Sequence, residues 1–206
     1  MTTPSMPRVE LGRPATFDDL VAVPEILVAE IVDGELWTSP RPAPRHANAH
    51  TAVGARIRVA FGEGPPGQGG WRIYFEPELH LDAQVLVPDV AGWRRTRLPR
   101  LPDTAYFAVA PDWVCEVVSP STEILDRTKK LRIYAEHGVG HTWIIDPLAQ
   151  TLEVLRLAGG AWTIVGTFAG RASVRAEPFE ALELQLPWLW DDDVPIQQSP
   201  PATGID

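Results

Sequence analysis

Two carboxylates interrupt otherwise apolar runs in this chain. Asp89 stands in Val85-Leu-Val-Pro-Asp-Val, and Glu116 stands in Asp112-Trp-Val-Cys-Glu-Val-Val. A charge in a strand that reads as buried is costly unless something pairs with it or binds it. Ten residues beyond Glu116 begins Asp126-Arg-Thr-Lys-Lys-Leu-Arg-Ile-Tyr, which carries Lys129 and Lys130. These are the only two lysines in a chain whose other basic residues are all arginine. Lysine is a compact point charge with a tunable pKa, whereas arginine is a fixed planar cation.

Two acids on neighbouring strands and a lysine nearby suit one chemistry in particular. A hard divalent cation such as Mg²⁺ takes one or two carboxylates and completes its shell with water and phosphate oxygens. Asp89 and Glu116 supply the carboxylates, and the Val117 carbonyl supplies a third oxygen. A lysine orients the attacking water or offsets the charge that builds up during phosphoryl transfer. The expectation is phosphodiester hydrolysis, set against the plainer reading of acids held in salt bridges.

The surrounding elements must present these groups. The segment from Asp112 to Asp146 reads as strand, tight Ser-Pro-Ser-Thr loop, helix and strand. The helix is expected to open near Asp126 as N-cap and to end at Gly138. Thr16-Phe-Asp-Asp19 reads as a capping box opening a short helix through Val23. Asp33-Gly34 joins residues 27–32 to 35–39 in a hairpin. From His46 to Phe61, apolar residues at 49, 53, 57 and 61 mark one stripe of an amphipathic helix. Residues 71–75, 78–81 and 84–93 read as strands, the last holding Asp89. Residues 94–111 read as a proline-punctuated loop, and 151–157 with 161–168 as a meander turned by Gly159-Gly160. Phe179 to Trp190 reads equally as a strand or a helical turn.

In several of these positions the chain resembles the PD-(D/E)XK nucleases. Pro88-Asp89 and Glu116-Val117-Val118 resemble that signature, with the usual final lysine missing from the strand. Its replacement by a lysine on the next helix resembles the Uma-two family of restriction-type endonucleases. The other matching pieces are Glu30-Ile-Val-Asp-Gly-Glu-Leu, Pro44-Arg-His46, Glu116-Val-Val-Ser-Pro-Ser-Thr, Asp126 with Lys130 and Tyr134, and Trp143-Ile-Ile-Asp-Pro. The resemblance runs from about residue 16 to 190.

It implies an α+β, restriction-endonuclease-like mixed β-sheet flanked by helices, with an N-terminal hairpin and a C-terminal meander. It implies a Mg²⁺-dependent endodeoxyribonuclease (Mn²⁺ serving as an alternative ion) with Asp89 and Glu116 as metal ligands and Lys130 as catalytic lysine. Glu30 matches the family's early acid. Tyr134 lies four residues after Lys130, so a helix aims both the same way and turns Lys129 about 100° aside. A non-catalytic binding module on the same fold is the competing class. Ser119 and Ser121 suit turning and capping more than nucleophilic attack, since no histidine partner is evident. His46 is a weaker candidate for phosphate contact. Its neighbour His50, lacking a third ligand nearby, does not make a zinc site.

At 206 residues the chain is long enough for one substantial core. The expected division is a loose tail over residues 1–14, one domain over 15–190, and an acidic, proline-rich tail over 191–206. Net charge −9 argues against a protein that coats nucleic acid non-specifically. It leaves room for a nuclease with local basic surface, for which residues 94–100 and 127–132 are the candidates. No apolar run approaches the roughly 18 residues of a membrane span, and the first residues lack a signal-peptide pattern. The single Cys115 excludes an internal disulfide. Together these predict a cytoplasmic protein. The resemblance implies DNA as partner, and exposed strand edges with eight tryptophans suggest a homodimer as the assembly.

Overall fold

The computed structural model describes residues 8–62 and 70–190. The expected C-terminal tail and residues 1–7 of the expected N-terminal tail lie outside the described residues.

In chain order the strands are β1 (Arg8–Val9), β2 (Leu27–Val32), β3 (Glu35–Pro40), β4 (Trp71–Phe75), β5 (Leu79–Leu81), β6 (Gln84–Leu86), β7 (Val90–Arg94), β8 (Trp113–Val117), β9 (His141–Asp146), β10 (Thr151–Ala158), β11 (Ala161–Ala169), β12 (Ser173–Val174) and β13 (Leu184–Gln185). The helices are α1 (Phe17–Val21), α2 (Pro44–Ile57), α3 (Glu123–Leu125), α4 (Leu131–Glu136) and α5 (Pro187–Trp190). A wide π-type turn, Asp126–Lys130, joins α3 to α4.

A six-stranded sheet of order β11-β10-β9-β8-β7-β4 forms the centre. Only β8 and β9 run parallel in it, because the 123–136 helix carries the chain across between them. A five-stranded antiparallel sheet, β1-β3-β2-β6-β5, stands beside it. The fold is α+β, as expected, with two main sheets where one was anticipated.

Local chemistry explains most elements. Thr16 and Asp19 form the reciprocal capping box at α1. Asp33 and Gly34 both take positive φ, 55° and 72°, which gives the β2–β3 hairpin the twist its strands need. Gly138, at φ 72°, ends the site helix. α2 begins two residues before the expected start because Pro44 fits a first helical turn. It lies so close to the sheet that a Cβ on Gly54 would stand 2.2 Å from the Phe75 ring.

Three expectations change. Arg8 and Val9, expected in a loose tail, pair with Trp37 and Leu36 as an edge strand. The expected strand 84–93 breaks at Val87-Pro88-Asp89, and its two halves enter different sheets. Pro88 has no N–H to give a ladder, which favours ending β6 there. The site helix starts at Glu123, so Asp126 lies inside it and does not cap it. At the C-terminal end a two-residue strand and a helical turn share residues 184–190.

The strand pleat divides the core. Trp113, Cys115 and Val117 of β8 face one cluster with Ala49, Val53 and Ile57 of α2. Val114 faces the opposite cluster with Ile133 and Tyr134 of the site helix. Glu116, two residues after Val114, shares that second face. Among the described residues no helix is long and apolar enough to cross a membrane.

Candidate active site

The β7–β8 register pairs Val90 with Cys115 and Ala91 with Val114. Continued by one residue, it sets Asp89 opposite Glu116, the relation in which antiparallel neighbours come closest. Asp89 sits just outside β7, at the crossover between the sheets. There its Oδ2 accepts the Val117 backbone N–H at 2.7 Å. Glu30, from the other sheet, steadies the same crossover, its Oε1 accepting the Val87 N–H at 2.8 Å. Two of the predicted acids therefore hold the segment that joins the sheets.

Lys130 lies at the centre of the cluster. Its Nζ is 2.9 Å from Glu116 Oε1, 3.1 Å from Glu30 Oε1 and 3.3 Å from Asp126 Oδ1. An ammonium has three donors, and here it faces three carboxylates. The Tyr134 hydroxyl donates to Glu116 Oε1 at 2.5 Å. Lys130 and Glu116 are each only 2% exposed. Lys129, one residue earlier, turns outward to Glu35 and Asp33.

Electrostatics follow from that burial. Desolvation pushes the Glu116 carboxyl well above its ordinary range, against the pull of Lys130. Desolvation likewise raises Asp126 to about 6, with Lys130 working the other way. For Lys130 burial opposes the charge, but Glu116, Glu30, Tyr134 and Asp126 prevail and hold it well above the ordinary lysine value. Burial, reinforced by Glu116, also raises the Tyr134 phenol.

These groups open on a cavity of about 350 Å³. Glu30, Asp89, Glu116, Val117, Asp126, Lys130 and His46 line it, between the Pro40–Ala43 loop and the Ser119–Thr122 loop. The structure thus gathers Asp89, Glu116, Val117, Lys130 and Glu30 around one space. Tyr134 stands behind Glu116 and orients it from the core. His46 Nε2 lies 3.3 Å from Asp89 Oδ1. Burial lowers the affinity of His46 for a proton, but Asp89 and Asp126 outweigh it and leave the pKa raised. His50 packs against Phe75, its ring centroid 5.1 Å away. Ser119 and Ser121 hydrogen-bond one another and Ser119 bonds Thr122, which shapes the loop.

Asp126, quoted in the family match but read as the helix cap, is the member that sequence reasoning did not count in the site. Its spacing of four from Lys130 was the available signal, since i and i+4 share a helix face. The N-cap preference of aspartate hid it.

The basic surface of the site helix differs from expectation. Arg127 pairs with Glu123 and Glu153, Lys129 with Glu35, and Arg132 with Asp33 and Glu136. Neighbouring acids thus already neutralise this helix's cations. Arg97 pairs with Asp112, and Arg94 lies over the Trp71 ring.

A family model described as "Putative restriction endonuclease" (Uma2) matches residues 14–188. The chain belongs to that family. The matched span contains every residue of the cluster. The chain is also similar to a solved structure from Anabaena variabilis ATCC 29413, described as a "putative nuclease". The two share 26% identity at a TM-score of 0.69, over 86% of this chain and 98% of that one. No curated protein matches.

Proposed function

We propose that the protein is a metal-dependent endonuclease that hydrolyses DNA phosphodiester bonds in the cavity beside Asp89 and Glu116. One observation carries this reading: Lys130, delivered by a helix, reaches the Glu116 carboxylate next to Asp89. That completes an acid–acid–lysine set although the strand itself has no lysine. Membership of a family described as restriction endonucleases, and likeness to a structure described as a nuclease, support the same reaction class.

Among the described residues, no group of three or more His, Cys, Asp and Glu side chains forms a ready ion cage. The donor set still fits Mg²⁺ or Mn²⁺. Asp89, Glu116 and the Val117 carbonyl are hard oxygen donors, and Mg²⁺ commonly takes only two carboxylates from a protein. Four acids, Glu30, Asp89, Glu116 and Asp126, also surround one lysine and one histidine, an excess of negative charge that a divalent ion would relieve. Bound there, the ion would polarise a phosphodiester and acidify a coordinated water.

The protein groups have distinct tasks in this reading. Glu30 and Asp126 hold the Lys130 ammonium in place. Lys130 offsets negative charge that develops as the phosphodiester is attacked. Tyr134 orients Glu116 through its hydroxyl.

DNA would approach over the Pro40–Ala43 and Ser119–Thr122 loops. Arg41 lies on this rim, and the exposed Arg45 sits at the start of α2. A homodimer would let two sites address two strands, and light scattering at high protein concentration checks it.

The test is incubation of supercoiled and linear DNA with the protein in Mg²⁺ or in chelator. The reading expects nicking or linearisation in Mg²⁺ alone, abolished in Asp89→Asn and Glu116→Gln. Absence of Mg²⁺-dependent cleavage would leave a binding module on this fold as the better account.

A further inference from the structure

We infer that His46 is a positioning residue for Asp89, holding the carboxylate oxygen that the backbone leaves open. The inference rests on the reading of Asp89 as a metal ligand and adds a residue to it. Asp89 is the member of the cluster with the least support from regular structure. It follows Pro88 at the sheet-to-sheet crossover, and only its Oδ2 is held by the backbone, through the Val117 N–H at 2.7 Å. Oδ1 would otherwise be free to rotate with the side chain. His46 Nε2 stands 3.3 Å from it.

The helix holds the ring at ion-pair distance from that oxygen. His46 lies in the first turn of α2, and α2 is anchored by fully buried Ala49, Val53 and Ile57. One turn on, His50 wedges against Phe75, and Gly54 brings the helix against the same ring. The His46 side chain is 13% exposed and the Asp89 side chain 15%, so water competes little for their contact. The charged and polar groups around His46 are Asp89, Asp126, the Val117 carbonyl and the His50 ring. Lys130 bonds Glu30, Glu116 and Asp126, and thus leaves Asp89 to the histidine.

Hydrogen bonds that orient a ligating carboxylate typically change metal affinity by about 10–100-fold when removed. They do so by fixing the direction of the lone pairs. The inference therefore concerns affinity first and turnover second.

The experiment measures Mn²⁺ binding to the full chain by the electron paramagnetic resonance signal of the free ion. It compares the unmodified protein with His46→Ala, His46→Gln and Asp89→Asn. The glutamine amide nitrogen reaches about as far as Nε2 and can donate the same bond. We expect His46→Ala to weaken Mn²⁺ binding by about 10–100-fold, and His46→Gln to restore most of it. Thermal melting of both variants should match the unmodified protein, which separates positioning from folding.

Unchanged affinity in His46→Ala would overturn the inference. Equal loss in Ala and Gln would overturn it too, because the donated bond would then not be the cause. Failure of the underlying metal reading has a different signature. The unmodified protein would bind no Mn²⁺, or would bind it as well as Asp89→Asn does, and the role of His46 would fall with it.

Discussion

Lys130 Nζ lies 2.9 Å from Glu116 Oε1, inside the protein, although one residue comes from a helix and the other from the strand before it. The contact arises because β8, the loop and the site helix fold back as one unit. Period-two alternation aims Glu116 at the helix, and the four-residue helix spacing stacks Lys130 beside Tyr134.

Removing that ammonium should destabilise the protein strongly. Lys130→Met would leave Glu30, Glu116 and Asp126 buried without a counter-charge. Breaking a buried ion pair in this way typically costs about 3–5 kcal/mol. Lys129→Ala breaks a partly exposed pair and should cost about 0–1 kcal/mol. Urea denaturation of the two variants checks the contrast, and similar losses would contradict the burial argument.

Asp126 should give the protein a characteristic response to acid. Its native pKa is about 6 against 3.8 for the ordinary side chain. The stability it contributes is therefore full below pH 3.8 and is lost as the pH rises to about 6. The change is on the order of 3 kcal/mol. Burial of Glu116 acts in the same direction. Asp126→Asn stays neutral, so it should gain on the unmodified protein between about pH 4 and 6. Denaturant midpoints across that range, without divalent metal, measure the difference, and a constant difference would refute the assignment.

Tyr134 acts through its hydroxyl in this account. Tyr134→Phe deletes one donor to the Glu116 carboxylate and keeps the ring in the core. A hydrogen bond to a charged group contributes about 1.5–3 kcal/mol. A loss of that size in chemical denaturation is expected, and a neutral substitution would show that Lys130 alone satisfies Glu116.

Much of this arrangement was legible in the residues. Isolated acids in apolar strands marked Asp89 and Glu116, the scarcity of lysine marked Lys129 and Lys130, the family resemblance chose Lys130 by its spacing from Tyr134, and Asp33-Gly34 marked the hairpin that carries Glu30 to the site. Other parts were hidden for physical reasons. Residues 84–93 have strand chemistry throughout, so only Pro88 signalled that the chain would change sheets there. Asp126 satisfies the sequence rule for an N-cap, while the burial that turns it toward Lys130 is a tertiary effect. The cations of the 127–132 segment looked available to DNA because their partners Asp33, Glu35 and Glu153 are distant in sequence. His46 read as a weak candidate for phosphate contact at a helix start, and its pairing with Asp89 was hidden because Asp89 lies 43 positions away.

The central claim is that the buried lysine and its acids form a site for phosphodiester hydrolysis. It is tested most directly by single-turnover cleavage of DNA at saturating enzyme and Mg²⁺, below the melting temperature of each variant. A lysine that stabilises charge only in the transition state affects the chemical step more than binding. Lys130→Ala should therefore slow cleavage by a factor on the order of 10²–10³ with DNA affinity kept. Lys129→Ala, paired outward to Glu35, should cleave at close to the unmodified rate. Equal losses in both variants, or no Mg²⁺-dependent cleavage by the unmodified protein, would contradict the claim.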